Sequence, residues 1–267
     1  MSERNGFQPG VPCWVAAVQP EPERTLDFYP ELFGWDVEDL MPAGSQGRYF
    51  LCKLRGRDVA AVVSPHGAPP PPVPTWATYV WVDSADAAAQ RAAAAGGSVV
   101  GDPFDSPGGV RMAILADPSG AVFGVWQPGQ HRGAQVVDEP GAWSMSILNT
   151  ADPERAKAFY RDLFGWETET FSVGEGELTL WRVPGYVGGQ PEQPVSREVV
   201  AAMAPASDGP PRWSVDFWVA DADGAAGRAA ALGGEVLAGP YDLPGFRQAV
   251  LADPHGAAFT VSQLIRP

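Results

Sequence analysis

Two hydrophobic spacings alternate along the chain. Short runs such as Val11-Pro-Cys-Trp-Val-Ala-Ala-Val-Gln19 and Trp76-Ala-Thr-Tyr-Val-Trp-Val82 are rich in β-branched and aromatic residues and predict strands. Elsewhere apolar residues recur every three or four positions, the mark of a helix with one buried face. Leu26, Tyr29, Leu32 and Phe33 form one such stripe, and Ala156, Phe159, Tyr160, Leu163 and Phe164 form another. Glu21-Pro22-Glu23 and Asp152-Pro153-Glu154 open these helices with an acidic cap position and a proline at the first turn, and Gly34 and Gly165 close them. Pro30 removes a backbone donor inside the first helix, so a kink is expected there. Strands are predicted after it near 35–39, 48–54 and 58–64, followed by a Pro-rich stretch at 68–74 that reads as a stiff connector. The order then recurs: strand 76–82, an Ala-rich helix over 84–95 stopped by Gly96-Gly97, and strands near 98–101, 110–116 and 121–127.

The second half repeats the first. Phe28-Tyr-Pro-Glu-Leu-Phe-Gly-Trp35 returns as Phe159-Tyr-Arg-Asp-Leu-Phe-Gly-Trp166, and the Ala116-Asp-Pro-Ser-Gly-Ala-Val-Phe123 stretch returns as Ala252-Asp-Pro-His-Gly-Ala-Ala-Phe259. Trp76–Val82 has its counterpart in Trp213–Val219, so three matches fall in the same order. This is a tandem duplication. Domains are expected over 11–128 and 142–264, joined by a linker at 129–141, with loops at 184–196 and 205–211 as the main departures.

Composition narrows the function. A net charge of −14 argues against binding a phosphate backbone, so no nucleic-acid partner is expected. No apolar run is long enough to span a membrane, and the start carries no signal pattern. Cys13 and Cys52 have neither CxxC spacing nor partners in the second half, which points to reduced thiols and a cytoplasmic protein. No phosphate-binding glycine loop and no Ser/His/Asp or Cys/His set stands out, so no catalytic residue is assigned. Asp117-Pro118 and Asp253-Pro254 read as turn formers, and Arg111 and Arg247 as ion-pair partners beside them.

Four βαβββ modules, with FY-x-x-LFGW closing one helix and ADP-x-G-x-x-F before the last strand, resemble the vicinal-oxygen-chelate superfamily. This is the group of glyoxalase I, bleomycin-resistance proteins and extradiol dioxygenases. The resemblance runs from about Val11 to Gln263 and implies an α+β fold: two glyoxalase-like domains with cupped mixed sheets. Because the duplication supplies both halves, a monomer is expected, a pseudo-dimer within one chain. Family members that use a divalent ion hold it with His, Gln or Glu on four strands. The matching positions are Trp14, Ala77 and Gly124 in one half and Met145, Ser214 and Thr260 in the other, with 59–63 and 199–203 as the fourth-strand stretches. None of these is an imidazole, carboxylate or thiolate. His66, His131 and His255 lie in loops and are expected to be exposed. No metal and no other cofactor is therefore expected.

With the metal positions taken as inward, period-two alternation gives the rest of each cup. The first offers Trp14, Ala16, Val18, Ala77, Tyr79, Trp81, Val122, Gly124 and Trp126; the second offers Met145, Ile147, Asn149, Ser214, Asp216, Trp218, Ala258, Thr260 and Ser262. Ala77 and Gly124 are expected to leave room between the large rings. Tyr49 and Trp181 are further wall candidates whose facing the pattern leaves open. A binding site for a flat aromatic molecule follows, with Trp14, Tyr49, Tyr79, Trp81, Trp126, Met145, Trp181, Asp216 and Trp218 as its residues. Bleomycin-resistance proteins bind without chemistry, and the glyoxalase-like proteins of anthracycline and other aromatic polyketide clusters are the nearest analogy. The alternative is a metal-independent isomerase, lyase or hydroxylase-like enzyme with Asp216 and Tyr79 or Tyr49 as acid and base. A buried lone carboxylate such as Asp216 must find a donor or titrate upward.

Overall fold

The computed structural model of the protein describes residues 3–42, 44–45, 47–65, 69–173, 176–188, 195–206 and 209–265. The first half supplies β1 (Pro12–Val18), α1 (Phe28–Phe33), β2 (Asp36–Asp39), β3 (Tyr49–Leu54), β4 (Arg57–Val63), β5 (Thr75–Trp81), α2 (Ala85–Ala94), β6 (Ser98–Ser106), β7 (Val110–Ala116) and β8 (Val122–Gln127). The second supplies β9 (Trp143–Thr150), α3 (Pro153–Phe164), β10 (Glu167–Val173), β11 (Gly176–Arg182), β12 (Val199–Pro205), β13 (Arg212–Trp218), α4 (Ala222–Ala231), β14 (Glu235–Leu243), β15 (Phe246–Ala252) and β16 (Ala258–Leu264).

Each half builds one eight-stranded sheet, in the orders β2-β3-β4-β1-β5-β8-β7-β6 and β10-β11-β12-β9-β13-β16-β15-β14. At the middle of the first sheet β1 and β5 run antiparallel, while β1 pairs β4 and β5 pairs β8 in parallel. The two modules of one half thus meet edge to edge, and the α+β fold of four βαβββ units stands as the sequence predicts.

Local sequence sets the helix ends. Asp152 accepts a hydrogen bond from the Arg155 backbone N–H at 3.2 Å, and α3 then runs unbroken to Gly165, whose φ of 74° closes it. In the first half the corresponding segment is divided. A 3-10 turn over Pro22–Thr25 precedes the short α1, and Glu21 makes no capping bond; its carboxylate accepts from Arg24 instead, at 2.7 Å. The kink expected at Pro30 is therefore a break before it. Pro30 is the third residue of α1, where a backbone N–H has no intrahelical acceptor to lose. The strand expected over 98–101 continues through Pro103 to Ser106, because two register shifts absorb Gly101 and Pro103.

On the helix-bearing face the halves exchange partners. Tyr29 on α1 donates to Asp253 Oδ2 at 2.7 Å and accepts from Trp76 Nε1 at 3.1 Å; the Gln19 amide also donates to Asp253. Tyr160 on α3 does the same with Asp117 Oδ2 at 3.2 Å and Trp213 Nε1 at 2.9 Å. The indole N–H groups of Trp35 and Trp166 each donate, at 2.6 Å, to a backbone carbonyl of the segment before the other half's first strand, Gly141 and Gly10. Asp117 and Asp253 also form their turns, each Oδ1 accepting from two backbone N–H groups, so both carboxylates have two roles. Accordingly one core joins α1 and β1–β4 to Phe217, Phe259 and α4, and the other joins α3, β9, β11 and β12 to Phe123 and α2. The two repeated sequence motifs are the two sides of one contact, made twice.

Candidate functional site

The concave face of the first sheet encloses a cavity of about 440 Å³. Its floor is aromatic. Trp14 on β1 stands directly across from Tyr79 on β5, which in turn is in register with Gly124 on β8, two residues before Trp126. The Trp14 and Trp126 rings are 5.8 Å apart and tilted, and Tyr79 meets Trp126 edge-on at 5.9 Å. These rings fill most of each other's exposed faces: Trp14 and Trp126 are each only 1% exposed and Tyr79 6%. The open wall comes from half-buried Tyr49, Val63, Ala77, Phe104 and Ile114, together with buried Met112. At the mouth lie Pro69–Val73 and, from the second half, Pro210, Pro211 and Arg212. The Pro-rich stretch read as a mere connector thus forms part of the cavity rim, apart from Ala68, which lies outside the described residues.

Gly124 does not hold space open for a guest. A Cβ there would lie 2.1 Å from the Tyr79 ring, so the missing side chain is where Tyr79 rests. Ala77 does border the cavity, as expected. Trp81 shares the face of Tyr79 but is covered by Phe7 at 6.3 Å and by the Arg132 guanidinium at 5.5 Å, away from the cavity lining. Trp181 is fully buried on the opposite face, among Tyr160, Trp166 and Trp213. Tyr49 and Trp181 occupy third strands three register positions out of step, and an odd step changes the face.

Met145, Asp216 and Trp218 belong to the second sheet, with Met145 directly opposite Asp216. Asp216 accepts from Ser144 Oγ at 2.7 Å and from Ser262 Oγ at 2.5 Å, and Ser262 accepts from Gln248 Nε2 at 2.7 Å. Burial outweighs these bonds and raises its pKa to about 7. Both outcomes foreseen for a lone buried carboxylate therefore occur together. Asp216 does not share a cavity with Tyr79 or Tyr49, the partners expected for it as acid and base: the two tyrosines line the first half's cavity and Asp216 does not.

His131 also departs from expectation. It is half-buried rather than exposed, with its ring 4.6 Å from Trp14 and 5.1 Å from Trp126. Its Nδ1 accepts from the Gly133 backbone N–H at 3.1 Å, and desolvation lowers its pKa to about 4. His255 is half-buried as well, with Nε2 unpartnered. His66 lies outside the described residues. Arg111 and Arg247 form ion pairs, with Asp86 and Asp105 and with Asp223 and Asp242 respectively.

Electrostatically the cavity opposes the protein around it. Its lining carries two charged side chains, Arg48 and Arg212, and no carboxylate among the described residues, in a chain of net charge −14. Arg48 pairs with Glu23 at 2.8 Å and Asp39 at 3.4 Å. Burial raises the Tyr79 phenol to about 12 and drives Tyr49 up as well, against the opposing pull of the Trp14 indole N–H. Both phenols are therefore neutral donors. The strand positions that hold a divalent ion in glyoxalases do not fit one here: Trp14, Ala77 and Gly124 supply no ligand atom, and no group of three His, Cys, Asp or Glu side chains converges among the described residues.

Phe104, Met112 and Ile114 were missed by the sequence reading. Met112 and Ile114 pair in register with Trp126 and Gly124, so alternation along the predicted strand 110–116 was the available signal. Phe104 had none, since a register shift sets its facing.

Residues 14–125 match the family model of the glyoxalase/bleomycin resistance protein/dioxygenase superfamily, and residues 145–262 match that of the glyoxalase-like domain. CFP32 of Mycobacterium tuberculosis, provisionally named a glyoxylase, is 37% identical over 98% of this chain and 97% of its own. The anthracycline biosynthesis proteins DauV of Streptomyces sp. strain C5 and DnrV of Streptomyces peucetius are 36% and 35% identical, each over 97% of this chain and 94% of theirs. Among solved structures, the Mn(II)-bound glyoxalase of Novosphingobium aromaticivorans shares the fold with a TM-score of 0.64 at 17% identity, covering 97% of this chain and 84% of that one. Two tandem domain matches and whole-length relatives establish that the chain belongs to the glyoxalase/bleomycin resistance protein/dioxygenase superfamily, as a two-domain member.

Proposed function

We propose that this protein binds a planar polycyclic aromatic molecule in the first half's cavity, as an accessory to the biosynthesis of an aromatic polyketide of the anthracycline class. It does so as a monomer, without a metal and without turnover, by sequestering or delivering the molecule. The observation that carries this reading is the cavity itself. Its volume falls in the range of about 300–1,000 Å³ typical of small-molecule sites, and its wall is apolar and aromatic around two neutral phenols. The names of DauV and DnrV support the biosynthetic setting. The donor set at the superfamily's metal positions supports binding over metal-assisted chemistry.

Titration with planar polycyclic aromatics, followed by tryptophan fluorescence, tests the proposal. Saturable quenching is expected, since Trp14 and Trp126 form the floor. Ala77→Phe fills space beside the open wall and should weaken binding at least tenfold while leaving the melting temperature within a few degrees. Equal affinity in the variant, or product formation that persists with the cavity filled, would refute it.

A further inference from the structure

The charge distribution around the cavity says more about its guest. Acidic side chains outnumber basic ones by 32 to 18 in this chain, yet the described residues lining the cavity include Arg48 and Arg212 and no Asp or Glu. The carboxylates that Arg48 engages, Glu23 and Asp39, are not part of the lining. Arg212 is exposed at the first residue of β13, and its guanidinium has no hydrogen-bond or ion-pair partner among the described residues. It comes from the other half of the chain, next to Trp213, and meets the first cavity at its mouth. Inside, the phenol groups of Tyr49 and Tyr79 stay protonated and offer hydrogens. Asp216, the acid that would attract an amine, lies on the second sheet and is engaged by Ser144 and Ser262.

Resting on the binding function proposed above, we infer that the guest is an acidic aromatic: a fused-ring system bearing a carboxylate on the edge that faces Arg212. An amine-bearing guest would place its cation beside the Arg212 guanidinium, a like-charge contact, and a neutral one would gain nothing from that charge. A carboxylate presents the planar two-oxygen edge that a guanidinium fork recognises. In a synthetic sequence this places the protein at a stage where the ring system still carries its acid, before a step that esterifies, amidates or removes it.

Three probes of one shape separate the alternatives: anthraquinone-2-carboxylate, its primary carboxamide, and 2-(aminomethyl)anthraquinone. The order expected at low salt is carboxylate tightest and amine weakest, with the carboxylate favoured over the amide by about three- to tenfold. That advantage should shrink at about 1 M salt, where the screening length falls to roughly 3 Å. Arg212→Gln should bring the carboxylate down to the amide and leave the amide unchanged, and Arg212→Glu should favour the amine. Arg212 is exposed, so both variants should melt with the parent. An amide or amine that binds as tightly as the acid, or an Arg212→Gln variant that weakens all three alike, overturns the acidic guest and leaves aromatic binding intact. Failure of all three to bind saturably overturns the binding function and this inference with it.

Discussion

Replacing Asp216 by Asn should stabilise the protein, and increasingly so as pH rises. In the parent, burial lifts the Asp216 carboxyl from 3.8 to about 7, so the folded state holds its proton over a range where the unfolded chain has released it. With more protons bound when folded, stability falls as pH rises from about 4 to about 7. The full shift corresponds to about 4 kcal/mol, and water entry and local relaxation reduce that to about 2–4 kcal/mol in practice. Asn removes the term at little structural cost. Its Nδ2 can donate to Ser144 Oγ, which already lies 3.2 Å from the Asp216 carbonyl and can turn its own proton there, while Ser262 keeps donating to the Asn oxygen. Urea unfolding of both proteins at several pH values between 4 and 8, at fixed ionic strength, reads the difference. The variant should match the parent near pH 4 and exceed it by about 2–4 kcal/mol at pH 8, with unchanged m-values. A difference that does not vary with pH would show that Asp216 titrates as an ordinary, solvated carboxylate and would refute the reasoning. A variant less stable at every pH would show that the hydroxyl network cannot reverse.

The remaining expectations concern the contact between halves and the histidine packed against Trp14 and Trp126. Tyr29→Phe leaves the buried Trp76 N–H without its acceptor and takes a donor from Asp253, so unfolding experiments should read a loss of about 1–3 kcal/mol; Tyr160→Phe should lose a similar amount for the matching reason, and a neutral result would deny the exchanged contact any energetic role. His131, lowered from 6.5 to about 4, binds protons more readily when unfolded, so its share of stability is lost as pH falls from about 6.5 to 4, by about 2–3 kcal/mol. Read in the Asp216→Asn background, where the opposing acid is gone, His131→Gln should flatten that acid limb, and an unchanged limb would assign it to other groups.

The local pattern of the chain determined a great deal. Period-two runs set the strands, period-3.6 runs and Gly ends set the helices, and the doubled FY-x-x-LFGW and ADP-x-G-x-x-F stretches identified four modules and their superfamily. Alternation also placed Trp14, Ala77, Tyr79 and Trp126 on one face of one sheet, because the side-chain period of a strand is independent of what lies across from it. What alternation cannot say is what fills the space above that face. Gly124 is a seat for Tyr79, Trp81 is covered by Phe7 and Arg132, and His131 closes against Trp14 and Trp126; each depends on a residue distant in sequence. A register shift turned Phe104 into the cavity, and an odd step in register separated Tyr49 from Trp181. Internal duplication hid the largest feature. When both halves carry the same helix motif and the same turn motif, the pattern is identical whether Tyr29 meets Asp117 or Asp253. Only the tertiary structure, in which β5 and β13, interior strands of the two sheets, pack against each other, decided that each tyrosine reaches the other half's aspartate.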